Sequence, residues 1–192
     1  MNDDDEVPEG YWERTVAALK LGGPELSFTG MGEALLHPDF NEMLRYARYE
    51  LPGVWFLMET NGLALGEYEI KALRDTGTTV FVSTHRPEVA GPAIELCKQY
   101  GVEVRVNTNF AHSGFDWAGQ VQWANSAPRT VCQYLAQGWG TVLENGNIVN
   151  CCMDAHGLYP YRNVLTSAVD ELEIAPIPLC ESCHLTVPEK FK

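Results

Sequence analysis

The sequence is short of positive charge. Lysine and arginine number 13 against 26 aspartates and glutamates, for a formal charge of −13. With no basic cluster to act locally, binding to a phosphate backbone or to an anionic membrane surface is disfavoured. Long hydrophobic runs are missing too, and no apolar stretch would span a bilayer. The N-terminus, "MNDDDEVPEG", has the character of neither a secretory signal nor a transit peptide. Together these absences predict a cytoplasmic protein without nucleic-acid or membrane partners, its acidic surface serving solubility. Internal repeats are absent, as are the Gly-x-Ser-x-Gly elbow, the Walker loop and the dinucleotide-binding loop. No His-Asp-Ser or Cys-His pairing is convincingly placed. His85, at a strand end, is the one candidate proton carrier of the rim and stands alone there. Cysteine is missing until position 97.

What is present suits a folded chain. The 192 residues are 45% hydrophobic, enough for one sizeable core or for one domain with a small appendage. Cytoplasmic proteins seldom form disulfides. The six cysteines therefore point to metal ligation, redox chemistry or burial. Cys97, in the helical pattern "IELCKQY", reads as a small core residue. The other five all follow residue 131.

Helix and strand signals alternate through the first two thirds. "YWERTVAALKL" reads as an amphipathic helix stopped by Gly22, Gly23 and Pro24. The strand signals are "ELSFTG", "VWFLMETNG", "TVFVST" and "VEVRVNTN". The helix signals between them are "HPDFNEMLRYARYE", "EYEIKALRDTG" and "PEVAGPAIELCKQYG". In the last, Pro92 either kinks the helix or marks its first turn. This order predicts βα units on a parallel sheet, with functional residues at the C-terminal strand ends. Those ends read "FTGMGE", "METNG", "VSTHR" and "NTNF", rich in glycine and small polar groups. After Phe110 comes a loop-like stretch with two tryptophans. From Cys132, "WGTVLENGNIVNCC" predicts two short strands around Asn145-Gly146. "VLTSAVDEL" reads as a short helix. The organisation expected is an acidic tail over 1–10, an α/β partial barrel over 11–128 and a small domain over 129–192.

The strongest local signal is the cysteine spacing. Cys180 and Cys183 form a Cys-x-x-Cys pair. The hairpin returns Cys151 to its partner strand, and Cys132 lies just before that hairpin. Four thiolates suit an iron–sulfur cluster or zinc, and spacing alone does not choose between them. His156 and His184 lie close enough in sequence to substitute as zinc ligands. If Cys152 continues the strand, it points away from Cys151 and is a packed neighbour. The plain alternative is five unrelated cysteines, some of them buried.

"CQYLAQGWGTVLENGNIVNCCMD" followed by "CESC" resembles the twitch form of the SPASM domain. That domain is the C-terminal extension of many radical S-adenosylmethionine (SAM) enzymes. The family pattern is a cysteine, a spacer, a glycine, four residues and a cysteine, matched here by Cys132, Gly146 and Cys151. The resemblance implies an auxiliary [4Fe–4S] cluster on Cys132, Cys151, Cys180 and Cys183. A second cysteine and an aspartate, here Cys152 and Asp154, are usual in the family, although Arg162 stands where glycine is common.

Upstream, "SFTGMGEALLHPDF" resembles the second strand and glycine loop of the radical SAM partial barrel. "METNG" resembles the end of the third strand. The resemblance implies that Gly30, Gly32 and Glu33 meet the SAM amino group. It also sets Ser83 and Asn107 where the family contacts ribose or carboxylate. It covers roughly residues 12 to 183.

One departure is large. The family's Cys-x-x-x-Cys-x-x-Cys loop and its first strand are not in this sequence. The resemblance thus implies a truncated or degenerate radical SAM-like protein whose catalysis depends on a missing segment or a complementing polypeptide. The acidic start favours a genuine N-terminus. Peptides or proteins are the implied substrates. The alternative is a non-catalytic zinc or iron–sulfur module that binds a partner protein or peptide.

Overall fold

The structure, a computed structural model, describes residues 9–29, 32–84, 86–107, 132, 138–171, 175–181 and 183, with the side chain of Asn107 not described. These residues form two compact units that do not follow chain order: 24–107 make one, while 9–23 join the described residues from 132 onward in the other. The expectations for residues 108–131 lie outside the described residues.

The first unit is a parallel sheet with a helix after each of its first three strands. β1 (Glu25–Phe28) leads through a single 3-10 turn to α2 (Phe40–Glu50), with α1 (Tyr11–Leu19) belonging to the other unit. Then follow β2 (Trp55–Thr60), α3 (Glu67–Asp75), β3 (Thr79–Ser83), α4 (Pro87–Gln99) and β4 (Val104–Asn107). The order β1-β2-β3-β4 never reverses, and every pairing is parallel. Sequential order with crossovers of one hand brings the helices to one face. This is the α/β partial-barrel arrangement the sequence predicts.

Side-chain alternation gives the sheet two unlike faces. Phe28, Phe56, Met58, Val80 and Val82 point one way. Phe28 stacks edge-on against Phe40 of α2 and Phe56 of β2, with ring centroids 5.8 and 5.7 Å apart. Arg48 of α2 lies 3.7 Å over the Phe56 ring, its guanidinium donating to the Val54 and Thr76 carbonyls at 2.7 Å each. Leu44, Ile70, Leu73 and Cys97 from the helices are wholly buried, as are Phe56, Met58, Val80 and Val82. The opposite face carries Glu25, Ser27, Trp55, Leu57, Glu59, Thr79, Phe81, Ser83 and Arg105. There Trp55 Nε1 donates to Thr79 Oγ1 at 3.0 Å, and Arg105 lies 5.3 Å from the Trp55 ring. Parallel sheets ordinarily present apolar residues on both sides. Here one side is the more apolar, and the other sets Trp55, Leu57 and Phe81 among polar residues.

The helix boundaries follow local chemistry. Glu69 of α3 accepts the Gly66 N–H at 3.1 Å, satisfying one unpaired donor of the first turn. In α4, Pro87 takes the first turn and Pro92 lies inside the helix. Pro92 thus does not mark the helix start, and its missing N–H costs the bond to the Glu88 carbonyl.

The second unit is built on a hairpin. β5 (Thr141–Val142) and β6 (Asn147–Val149) are antiparallel, Thr141 opposite Val149 and Val142 opposite Ile148. Gly146 turns the hairpin with φ 82°, where a Cβ would come within 3.1 Å of Asn163 Oδ1 and of Leu165. A third strand, β7 (Pro160–Asn163), pairs with β6 across a register shift. Helix α1 (Tyr11–Leu19) packs on this sheet: Tyr11 and Ala18 share a buried cluster with Ile148 and Val164. Tyr11 Oη donates to the Leu143 carbonyl at 2.9 Å, and Arg14 to the Leu165 carbonyl at 2.7 Å.

The short helix expected over "VLTSAVDEL" does not form where it is described: residues 164–171 run as turns and irregular chain. Asn163 closes a single turn, its Oδ1 taking the Leu165 N–H at 2.8 Å and its carbonyl the N–H groups of Thr166 and Ser167, a capping pattern that is not carried on into a helix.

Candidate functional site

Two groups of residues stand out, one in each unit. In the sheet unit, the C-terminal strand ends gather polar groups. Glu33 follows β1 and caps the 3-10 turn Ala34–Leu36. Its Oε2 accepts the Thr60 hydroxyl at 3.0 Å and the Asn61 N–H at 2.9 Å; its Oε1 accepts the Leu35 N–H at 3.5 Å. Thr60 is buried, and its hydroxyl oxygen in turn accepts the Gly62 N–H at 3.0 Å. Asn61 Oδ1 accepts the Leu63 N–H at 2.8 Å. Beside this lock, Thr29 donates to Glu59 Oε2 at 3.2 Å. Gly32 stands just before Glu33, with nothing within 4 Å of a Cβ built on it. Ser83 and Asn107 align in register at the ends of β3 and β4. Gly30 and His85 lie outside the described residues.

Thr60 and Asn61 are the residues that sequence reasoning passed over. "TNG" reads as a turn, and Gly62 does make one with φ 82°. A Cβ there would stand 2.8 Å from the Ala93 side chain on α4, so glycine is also required by close packing. The two preceding residues fasten Glu33. A polar pair at a strand end, one strand over from a lone carboxylate, was the available signal.

In the hairpin unit, Cys132, Cys180 and Cys183 are buried, and Cys151 and Cys152 are half-buried. All are free thiols. Cys151 opens a turn: Asp154 N–H donates to the Cys151 carbonyl at 3.0 Å, and Met153 N–H to Cys151 Sγ at 3.4 Å. Cys180 Sγ likewise accepts the Ile177 N–H at 3.4 Å. Interaction with the adjacent Cys151 holds the Cys152 thiol below its ordinary pKa, against desolvation and the charges of Cys132 and Cys183. Interaction with Cys152, then burial, pushes the Cys151 thiol up.

Strand alternation therefore does not separate these two cysteines, because β6 ends at Val149. Asp154 is wholly buried and structural, its carboxylate accepting the Leu158 and Tyr159 N–H groups at 2.8 Å each. His156 is exposed, and His184 lies outside the described residues. Among the described residues, which include every cysteine, no three histidine, cysteine, aspartate or glutamate side chains stand close enough together for one metal ion. The donor chemistry nevertheless suits a thiophilic group: five sulfurs on one small unit, three of them buried, two receiving backbone N–H bonds.

The fold is that of the radical SAM enzymes. The structure of BtrN in complex with AdoMet and 2-DOIA superposes with a TM-score of 0.66 at 19% identity, over 87% of this chain and 69% of that one. An open conformation of BtrN gives 0.58 at 16%, over 85% of this chain and 65% of that one. anSMEcpe with bound AdoMet and the Kp18Cys peptide gives 0.58 at 14%, over 88% and 72%. At such identities the likeness is one of fold. No family model and no curated protein matches the sequence. No helix among the described residues is long and apolar enough to cross a membrane.

Proposed function

We propose that this chain is a radical SAM-like iron–sulfur protein that carries one auxiliary [4Fe–4S] cluster on Cys132, Cys151, Cys180 and Cys183. The observation that carries this reading is that the five late cysteines all fall in the hairpin unit of a chain with the radical SAM fold, three of them buried. A cluster spreads its cysteines over several iron atoms. Such a group, when bound, supplies one-electron chemistry.

The protein's own part is to shape the site. Burial of Cys132, Cys180 and Cys183 excludes water from the sulfurs. The N–H groups of Met153 and Ile177 fix the directions of the Cys151 and Cys180 sulfurs.

SAM itself would lie on the polar strand ends, with Gly30, Gly32 and Glu33 at its amino group and Ser83 and Asn107 at its ribose or carboxylate. The open surroundings of Gly32 and the polar face behind the rim support this. Two of the superposed structures hold AdoMet. SAM cleavage would depend on cluster ligands that this sequence does not carry. A peptide is the substrate class favoured, since anSMEcpe is seen with one. Cytoplasmic location and a complementing polypeptide belong to the same proposal.

The test is iron, acid-labile sulfide and zinc analysis of protein purified and reconstituted without oxygen. One cluster per chain with a brown chromophore is expected. Stoichiometric zinc without that chromophore would favour a zinc module.

A further inference from the structure

Two Asn-Gly pairs occur in this sequence, Asn61-Gly62 and Asn145-Gly146. Such a pair is open to deamidation, because glycine sets no side chain beside the attacking amide nitrogen and lets the backbone turn freely. The glycine nitrogen gives its proton to solvent base and bonds to the asparagine Cγ. The Cγ–Nδ2 bond breaks, ammonia leaves with a proton from solvent, and a five-membered succinimide remains. Water then opens either side of that ring, giving aspartate or isoaspartate. No oxidant or reductant enters.

The reacting groups of Asn61-Gly62 are tied down at the end of β2. The Gly62 N–H donates to Thr60 Oγ1 at 3.0 Å, and that hydroxyl donates to Glu33 Oε2 at 3.0 Å. Asn61 Oδ1 accepts the Leu63 N–H at 2.8 Å, so the side-chain carbonyl is held as well. Asn61 is nevertheless exposed, and water and base reach it. In the other unit the Gly146 N–H is tied to the Leu143 carbonyl at 2.8 Å, and Asn145 Oδ1 to the Asn147 N–H at 3.0 Å. There the backbone of the hairpin guards the glycine nitrogen. At Gly62 two side chains do so.

We propose that Asn61 is a latent deamidation site, kept unreacted in the folded chain by the relay from Glu33 through Thr60 to the Gly62 N–H. The relay must open before the nitrogen can lose its proton and reach Cγ, so the rate follows the opened fraction. The product sets a second carboxylate beside Glu33, whose Oε2 already accepts the N–H of this residue at 2.9 Å. Isoaspartate also lengthens the backbone where a Cβ on Gly62 would stand 2.8 Å from the Ala93 side chain. An opening of these strand ends is thereby recorded irreversibly. The inference depends neither on a bound cluster nor on AdoMet.

The experiment incubates the full chain at mildly alkaline pH, folded and in urea. Peptide mass spectrometry follows each site, and an isoaspartyl methyltransferase assay reads the isoaspartate. Asn145 in the same sample is the internal reference. In urea the two sites are expected to convert at similar rates. In the folded chain Asn61 is expected to convert at least about tenfold more slowly than in urea. Thr60→Val removes the acceptor of the Gly62 N–H and should speed conversion of Asn61 in the folded chain about tenfold, with Asn145 unchanged. Thr60→Ser keeps the hydroxyl and should keep the protection. Gly77→Ala strains the same unit away from the relay and should leave Asn61 as in the wild type. Folded wild type that converts Asn61 as fast as the chain in urea overturns the proposal, as does an unaltered rate in Thr60→Val. Equal acceleration by Gly77→Ala and Thr60→Val also overturns it, assigning the protection to overall stability. Thr60→Ala, which removes the same hydroxyl, decides the matter if the valine form does not fold.

Discussion

The carboxylate of Glu33 accepts the hydroxyl of Thr60 at 3.0 Å, so the loop after β1 is fastened to the end of β2. The same oxygen takes the Asn61 N–H at 2.9 Å. A residue assigned by resemblance to ligand binding is thus also a structural tie. Its two roles can be separated.

Glu33→Ala leaves a buried hydroxyl and a backbone N–H without their acceptor. It should lower stability by about 1–3 kcal/mol. Thr60→Val removes one bond and keeps the carboxylate, so it should cost about 1 kcal/mol. Urea unfolding measures both. If Glu33 also meets a ligand's ammonium, Glu33→Ala should abolish AdoMet binding in calorimetry, while Thr60→Val only weakens it. Equal effects of the two variants on binding would leave Glu33 a tie alone.

Gly62 offers a sharper case. Its φ is 82°, and a Cβ would stand 2.8 Å from the Ala93 side chain. Gly62→Ala therefore meets both backbone strain and crowding, and should cost about 2–4 kcal/mol. Gly77 provides the control: φ is 63°, with nothing within 4 Å of a Cβ. Gly77→Ala should cost about 1 kcal/mol, from backbone strain alone. Thermal or urea midpoints for the two variants check the contrast. Similar losses would show that α4 yields to the extra methyl.

The parallel sheet was legible because short apolar runs such as Phe56–Met58 and Val80–Val82 are bounded by glycine or polar turns and separated by helix signals. Asn145-Gly146 made the hairpin legible for the same local reason. β7 was not legible: "PYRN" opens on proline and carries no apolar alternation, and its pairing depends on the tertiary return to β6. After it, the turn that Asn163 starts is not extended into the expected helix. At the site, spacing singled out the five late cysteines, which all fall in the hairpin unit. That Cys151 and Cys152 lie outside the strand was not legible, since it turns on β6 ending at Val149. The packing of α1 on the hairpin unit is likewise a long-range outcome, joining Tyr11 to Ile148 and Val164.

Cys97 makes a prediction that depends on pH. It is wholly buried in α4, and desolvation pushes its thiol up to about 11 from 9.0. In the unfolded chain the thiol loses its proton near the ordinary value. In the folded chain it keeps the proton longer. Its contribution is therefore fully present below pH 9.0 and is lost as pH rises to about 11. The full effect is about 3 kcal/mol. Stability curves of wild type and Cys97→Ala, taken from pH 7 to pH 11, should converge over that range, because the variant lacks the titration. Curves that stay parallel would show that burial does not hold the proton. At pH 8 the folded protein should also resist alkylation at Cys97 and react only after denaturation.

The last prediction concerns SAM cleavage. In the radical SAM enzymes an electron reaches the sulfonium through an iron that SAM itself chelates, which requires a cluster with one iron left open. Three cysteines in a compact loop hold such a cluster. Among these 192 residues the first cysteine is Cys97, which is buried in a helix with its thiol raised. The other five belong to the hairpin unit, where the proposed cluster takes four sulfurs and leaves no iron open. The chain of 192 residues should therefore form no 5′-deoxyadenosine from SAM, whatever reductant is supplied. Binding through Gly30, Gly32, Glu33 and the neighbouring strand ends should survive but be weak, because the chelating iron normally supplies much of the hold on the amino acid moiety. The assay is 5′-deoxyadenosine formation under strict anaerobiosis with a strong reductant, with calorimetry alongside for binding. Adding a polypeptide that carries a three-cysteine loop should restore turnover if the strand ends form the SAM rim. Multiple turnovers by the chain on its own would mean that the hairpin cysteines, or another group in this sequence, open an iron to SAM.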